Sequence, residues 1–153
     1  MAAGDIKVFH AAVLALGKKL LDLSADTLKL GIVTNATVPS LTTADPRWGA
    51  GGTTNFSSNQ VGLATGYSGP VTLASVTFTQ VSNIPTLRAS VMTIPQDAGG
   101  FTTGAYGIIY DDTDSGKRAI AFVDFGGSVG NVAGDLIIDW NGANNDIATF
   151  TAS

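Results

Sequence analysis

Two apolar runs separated by a short Asp-rich connector most constrain how this chain can fold. Residues 105–110 read AYGIIY and residues 118–125 read RAIAFVDF, both of strand length and rich in β-branched and aromatic side chains. The connector, residues 111–117, reads DDTDSGK, and it favours a turn because Asp side chains hydrogen-bond nearby backbone and Gly116 can adopt a positive φ. We predict a β-hairpin. Since nearly every position in both runs is apolar, the hairpin should lie in the middle of a sheet covered on both faces.

Further strand candidates follow the same reasoning, and short turn sequences separate them. A turn is predicted at the Asn-Ile-Pro of residues 83–85 and another at the Asn- and Gly-rich residues 141–146. The pattern indicates a mainly β protein, with an antiparallel β-sandwich or jelly roll forming one domain over residues 1–153. The predicted strands outside the hairpin are residues 27–35, 58–63, 71–81, 86–95, 136–140 and 147–151.

One amphipathic helix is predicted near the start of the chain, over residues 6–23, with Asp5 as its N-cap and stop signals at residues 22–26. Its opposite side is also partly apolar, so two interpretations remain open: a helix lying across the end of the sandwich, or an arm that holds subunits together. The apolar stripe at three- and four-residue spacing consists of Ile6, Phe9, Val13, Leu16 and Leu20.

A long segment dominated by Gly, Thr, Ser and Asn occupies residues 36–70. Loops of this length in a compact domain are commonly binding elements or are ordered by contacts beyond their own subunit. Large aromatic side chains in such a loop must be buried somewhere. Trp48 and Phe56 therefore either fold back onto the core or are buried by another chain, and the sequence does not choose between the two.

Composition excludes several classes of function. Only 13% of residues are charged and the net charge is −4, which argues against a surface that neutralises nucleic-acid phosphates. The absence of cysteine removes disulfides and thiolate chemistry. The first five residues lack a basic region and the early apolar run is short, so we expect neither a secretory signal nor a membrane span. We expect no membrane among the partners.

Catalytic and metal-binding patterns are weak throughout. The single histidine, His10, has no Cys, Glu or second His to share a metal, and no nucleophile-elbow sequence surrounds a serine. Asp111, Asp112 and Asp114 cluster at the predicted hairpin tip, where they serve either turn chemistry or a weak cation site that lacks the closing Glu of a calcium loop. We expect no enzymatic activity, no cofactor and no metal centre.

Four segments that follow the predicted N-terminal helix form a recognisable set. They are LSADTLKLGIVT at residues 23–34, YGIIYDDT at 106–113, AFVDFG at 121–126 and IIDW at 137–140. Together with the helix they resemble the small head decoration, or cement, proteins of tailed bacteriophages, and residues 36–70 are left unmatched. That resemblance implies a virion protein on the outer surface of the capsid, bound to the major capsid protein as a symmetric homo-oligomer, with a trimer favoured over a dimer.

If the resemblance holds, the predicted helix and the long loop should make most of the contacts with other subunits and with the capsid. Replacement of Trp48 with Ala should then weaken attachment and leave the monomer fold intact. The alternative is a receptor- or glycan-binding module of a phage tail fibre or tail tip, which would use the same fold with exposed loop-tip aromatics. The residues predicted to lie at the interface are Phe9, Val13, Leu14, Arg47, Trp48 and Phe56.

Overall fold

The computed structural model describes residues 5–140 and 144–151. The chain is mainly β: 40% of these described residues lie in strands and 8% in helices, and the principal sheets are antiparallel. The turn predicted at residues 141–146 lies partly outside the described residues.

The described part of the chain contains twelve strands, one α-helix and one 3-10 helix. The α-helix, α1, is His10–Gly17, and the 3-10 helix is Phe56–Asn59. The strands are β1 Asp5–Val8, β2 Leu28–Val33, β3 Pro46–Arg47, β4 Thr54–Asn55, β5 Val71–Thr72, β6 Thr77–Val81, β7 Ile84–Arg88, β8 Met92–Ile94, β9 Gly104–Asp111, β10 Ala119–Val129, β11 Leu136–Ile138 and β12 Asp146–Thr149.

The predicted hairpin is confirmed as the centre of the largest sheet. This sheet has the order β1-β10-β9-β2-β5, and each neighbouring pair is antiparallel. Successive residues of a strand point to opposite faces. Ile108 and Ile109 of β9 are both fully buried, as are Ile120 and Ala121 of β10. Both faces of the sheet are therefore covered at the hairpin.

Smaller sheets hold the remaining strands, and two predicted strands are each divided between sheets. One three-stranded sheet has the order β12-β7-β6, β11 pairs with β8, and the two-residue strands β3 and β4 are parallel. The predicted strand 71–81 breaks at Ser75, which has a φ of 53°, so β5 joins the large sheet and β6 pairs with β7. The predicted strand 86–95 is likewise divided into β7 and β8.

Two local predictions in this region are wrong. The chain turns at Ser82 and Asn83, both with positive φ, and Pro85 lies inside β7 where a turn was expected. The predicted strand 58–63 is instead the end of the 3-10 helix followed by a single bridge from Gln60 to Val33.

The predicted helix over residues 6–23 is wrong at both ends. Residues 6–8 belong to β1, an edge strand beside β10, so Asp5 begins a strand and is not an N-cap. The extended Phe9 precedes α1 and supplies no side-chain cap. The inward residues of α1 are the small Ala12 and Ala15, whereas Val13 of the predicted stripe is exposed. Alternating Ile, Lys and Val side chains suit the strand, and pairing with β10 outweighs the helical periodicity.

Candidate functional site

The residues predicted to form an interface divide into a buried group and an exposed group. Phe9 and Phe56 are fully buried, with ring centroids 6.0 Å apart, and the Phe122 ring lies 5.1 Å from that of Phe9. These side chains connect the segment before α1, the long loop and β10 in one core. Phe9 and Phe56 therefore pack inside the chain's own fold, and the expectation that they face outward is wrong.

Trp48 also folds back onto its own chain. Its side chain is only 7% exposed and stacks on Tyr110 with ring centroids 5.4 Å apart and an interplanar angle of 6°. The backbone N–H of Trp48 donates a hydrogen bond of 2.9 Å to the Lys117 carbonyl at the hairpin tip. The interpretation that Trp48 reaches out to a neighbouring subunit is therefore wrong, and the burial of its ring argues against the expectation that Trp48→Ala leaves the fold intact.

Arg47 is half-buried and fastens the long loop to the hairpin tip. Its Nε lies 3.1 Å from Oδ1 of Asp45, and its Nη1 donates a hydrogen bond of 3.1 Å to the carbonyl of Gly116. Because both partners belong to the same chain, the conformation of the loop at this point is set by internal contacts.

The exposed group lies on α1. Val13 is 51% exposed and Leu14 is 59% exposed, and Leu20, just beyond the helix, is 45% exposed. We call these three residues the helix patch. The small inward side chains Ala12 and Ala15 let α1 pack against β10, and the larger aliphatic groups are left outside. Clustered exposed aliphatic groups are typical of an interaction surface.

A cleft of about 300 Å³ adjoins the helix patch, because Leu14 and Leu20 line both. Three charged residues line it: Arg118 and Asp45, which form ion pairs with Asp114 and Arg47, respectively, and Lys18. Apolar and small side chains provide most of the remaining wall. The cleft is suited to receiving an apolar side chain of a partner. The cleft is lined by Ala11, Ala12, Leu14, Ala15, Lys18, Leu20, Asp45, Pro46, Arg118 and Ala119.

A further exposed leucine belongs to the long loop. The backbone N–H of His10 donates a hydrogen bond of 3.0 Å to the carbonyl of Leu41, which brings that half-exposed leucine beside the start of α1. Sequence reasoning missed Leu41 as a surface contact, since it stands alone in a polar loop with no periodic neighbours. It also assigned Leu20 to the buried stripe of a longer helix.

The Asp-rich hairpin tip is organised by backbone hydrogen bonds. The buried Asp111 accepts hydrogen bonds of 2.8 Å and 3.1 Å from the N–H groups of Thr113 and Asp114. Burial, together with the neighbouring Asp26 carboxyl, raises the pKa of Asp111 to about 6. The tip is joined to the segment before β2, since the N–H of Asp112 donates to the Thr27 carbonyl at 2.8 Å.

Ion pairs complete the hairpin tip. The Asp112 carboxylate lies 2.6 Å from Nζ of Lys117 and 2.8 Å from Nζ of Lys29, and hydrogen bonds from both lysines lower its pKa. Asp114 pairs with Arg118 at 2.7 Å. These contacts account for the aspartates as turn-forming and ion-pairing groups.

The potential metal-ligating side chains are scattered in the part of the chain that the structure describes. Within residues 5–140 and 144–151, no three His, Cys, Asp or Glu side chains are placed to hold a metal ion. The lone His10 is exposed at the start of α1. None of the helices described is long and apolar enough to cross a membrane.

Searches of protein-family models, curated proteins and solved structures found no significant match to this chain. The helix patch and the cleft beside it are therefore identified as the candidate site from their geometry.

Proposed function

We propose that this chain is a decoration protein of a tailed bacteriophage, which binds the outer surface of the head and stabilises contacts between major capsid subunits. The role is mechanical, requires no cofactor, and involves neither nucleic acid nor a membrane. The observation that carries the proposal is the helix patch: Val13, Leu14 and Leu20 present aliphatic side chains to solvent, and Leu14 and Leu20 also line the cleft. The chain acts as a homo-oligomer.

The segments that resemble decoration proteins coincide with framework elements. They include all of β2, most of β9, part of β10 and the end of β11. In this proposal these strands form one domain of the β-sandwich class, which holds α1 at a fixed position. The recognition surface is then carried by α1 and the adjoining loop.

Attachment by the helix patch explains how such a protein would strengthen a shell. Binding that exists only in the assembled state stabilises that state by mass action. Full burial of an aliphatic side chain is worth about 1.5–3 kcal/mol, so covering the half-exposed Val13 and Leu14 contributes about 2 kcal/mol together. The low charge of the chain keeps the cost of desolvating the surrounding surface small.

The test is binding of purified protein to expanded capsids from which it has been stripped. The double variant Val13→Ser/Leu14→Ser should fold normally, because both side chains are exposed, and should bind about thirtyfold more weakly. Ile137→Ser is the matched control, since Ile137 is a similarly exposed aliphatic residue on β11. The control should bind as the wild type does.

Two outcomes would contradict the proposal. If the double variant occupied the capsids as fully as the wild type, the helix patch would not be part of the capsid contact. Failure of the wild-type protein to bind capsids, combined with binding to host cells or purified glycans, would instead support a receptor-binding module of the tail.

A further inference from the structure

The outer edge of β6 is an unprotected strand edge. Among the described strands, β6 has β7 on one side and no partner on the other. Its register with β7 runs unbroken from Thr77 opposite Arg88 to Val81 opposite Ile84, without a bulge. It reads TFTQV and contains no charge and no proline. Natural proteins usually protect such edges with lysine, proline or bulges.

The absence of charge extends well beyond the strand. Residues 48–87 contain no Asp, Glu, Lys or Arg. By contrast β1, one of the two edge strands of the five-stranded sheet, carries the exposed Lys7. The edge of β6 therefore has no charged side chain comparable to Lys7 of β1.

The turn geometry determines which backbone groups of β6 face outward. A two-residue connection, Ser82-Asn83, joins Val81 to Ile84, and in such a hairpin these flanking residues form a hydrogen-bonded pair. Hydrogen-bonded and non-hydrogen-bonded pairs then alternate along the ladder. Phe78 and Gln80 consequently direct their N–H and C=O groups away from β7.

The position of Pro85 agrees with this alternation. Pro85 lies opposite Gln80, at a non-hydrogen-bonded pair, where β6 requires no N–H from it. Its carbonyl accepts a hydrogen bond of 2.9 Å from the N–H of Phe150, on the other side of β7.

We propose that β6 pairs antiparallel with β6 of a second copy of this chain, about a two-fold axis at Thr79. Phe78 exchanges two hydrogen bonds with the partner's Gln80, and Gln80 exchanges two with the partner's Phe78. Thr79 faces the partner's Thr79 as a non-hydrogen-bonded pair. The two three-stranded sheets become one six-stranded sheet.

The partner of this edge is a second copy of the chain, because the edge is complementary to itself. A two-fold contact requires a surface that matches its own copy. The outward groups of Phe78 and Gln80 lie symmetrically about Thr79, so one register satisfies all of them. An uncharged strand meets no like charge across the axis, and a Thr–Thr cross-strand pair is favourable. The pairing is independent of capsid binding, and by itself it closes a dimer.

Cysteine cross-linking tests the register, because the natural chain contains no cysteine. Cβ atoms of a non-hydrogen-bonded antiparallel pair lie about 4.5–5.5 Å apart, within reach of a disulfide after small adjustment. Thr79→Cys should form a covalent dimer under mild oxidation. Thr77→Cys is the matched control: it lies on the same strand, and its two copies would be about 13 Å apart along the strands. Equal cross-linking of the two variants would overturn the proposal.

Sedimentation equilibrium tests the contact without a new covalent bond. Gln80→Pro removes an outward N–H and leaves the hydrogen bonds between β6 and β7 in place, so dimerisation should weaken about tenfold or more. Gln80→Thr keeps the backbone N–H and should dimerise like the wild type. A wild-type protein that stays monomeric, or that forms only trimers, would overturn the proposal, as would unchanged dimerisation of a folded Gln80→Pro variant. If Gln80→Pro does not fold, the comparison of Thr79→Cys with Thr77→Cys decides the question.

Discussion

The indole ring of Trp48 lies directly against the Cα of Gly31, so that a Cβ at residue 31 would overlap Cη2 of the ring. Gly31 lies inside β2, where a glycine ordinarily weakens a strand. Here the missing side chain makes room for an aromatic ring that also stacks on Tyr110 of β9. This close contact is one of several that hold the long loop on the face of the central sheet.

The Gly31–Trp48 contact predicts strongly coupled substitutions. Trp48→Ala should lower the free energy of unfolding by about 3 kcal/mol, because it empties a largely buried site. Gly31→Ala should also destabilise, because its methyl group must displace the ring. In the double variant the ring is absent, so the methyl group introduced at residue 31 meets no clash. In a double-mutant cycle measured by denaturant unfolding, the double variant should therefore lose less stability than the sum of the two single variants.

The control for this cycle is Gly62→Ala, where a Cβ would meet nothing within 4 Å. That substitution should change stability by less than about 0.5 kcal/mol. Additive losses for Gly31→Ala and Trp48→Ala would contradict the described contact.

Tyr67 predicts a second stability effect, carried by a single hydroxyl group. Its oxygen accepts a hydrogen bond of 2.9 Å from the N–H of the fully buried Ile32. Burial raises the pKa of Tyr67 to about 12, so the hydroxyl stays protonated at neutral pH. Tyr67→Phe leaves the Ile32 N–H without this partner and should cost about 1–3 kcal/mol in thermal or chemical unfolding.

Tyr106→Phe provides the comparison for Tyr67, because Tyr106 is only half-buried. Its effect on unfolding should be markedly smaller. Equal effects of the two substitutions would show that the hydroxyl of Tyr67 contributes no more than that of a partly solvated tyrosine.

The sequence predicted the centre of the fold well, because its signal there is local and strong. The runs that became β9 and β10 are apolar at nearly every position, and their length, β-branched and aromatic residues and flanking turn residues favour strands covered on both faces. The strand predicted at residues 27–35 is confirmed as β2 for the same reason. The two edge strands of this sheet, β1 and β5, carry weaker apolar patterns. The sequence predicted β1 as part of a helix and β5 as part of a longer strand.

The errors arise where distant contacts decide the local structure. Residues 6–8 are compatible with a helical stripe, and only pairing with β10 makes them a strand. Trp48 has the same sequence surroundings whether it packs inward or outward, and the choice depends on the space over Gly31. Val13 and Leu14 were predicted as contact residues and are exposed. The exposed Leu41 gave no signal, because its position near His10 follows from a loop contact.

Titration of Asp111 at the hairpin tip should make the free energy of unfolding depend on pH. The carboxyl is buried and faces Asp26, and the pKa of Asp111 is about 6, above its ordinary value of 3.8. The folded protein therefore binds more protons at this site than the unfolded protein between pH 4 and 6. The stability that this group contributes is fully present below pH 4 and is lost as the pH rises to about 6.

Asp111→Asn isolates this effect, because its amide oxygen can still accept the hydrogen bonds from Thr113 and Asp114. From pH 4 to pH 7 the wild type should lose stability relative to the variant, by an amount on the order of 2 kcal/mol, since each pKa unit contributes about 1.4 kcal/mol. Asp26→Asn should reduce the pH dependence by removing the facing charge. Denaturant unfolding at several pH values measures the difference. A constant difference across this range would show that Asp111 titrates in the folded state as it does in the unfolded chain.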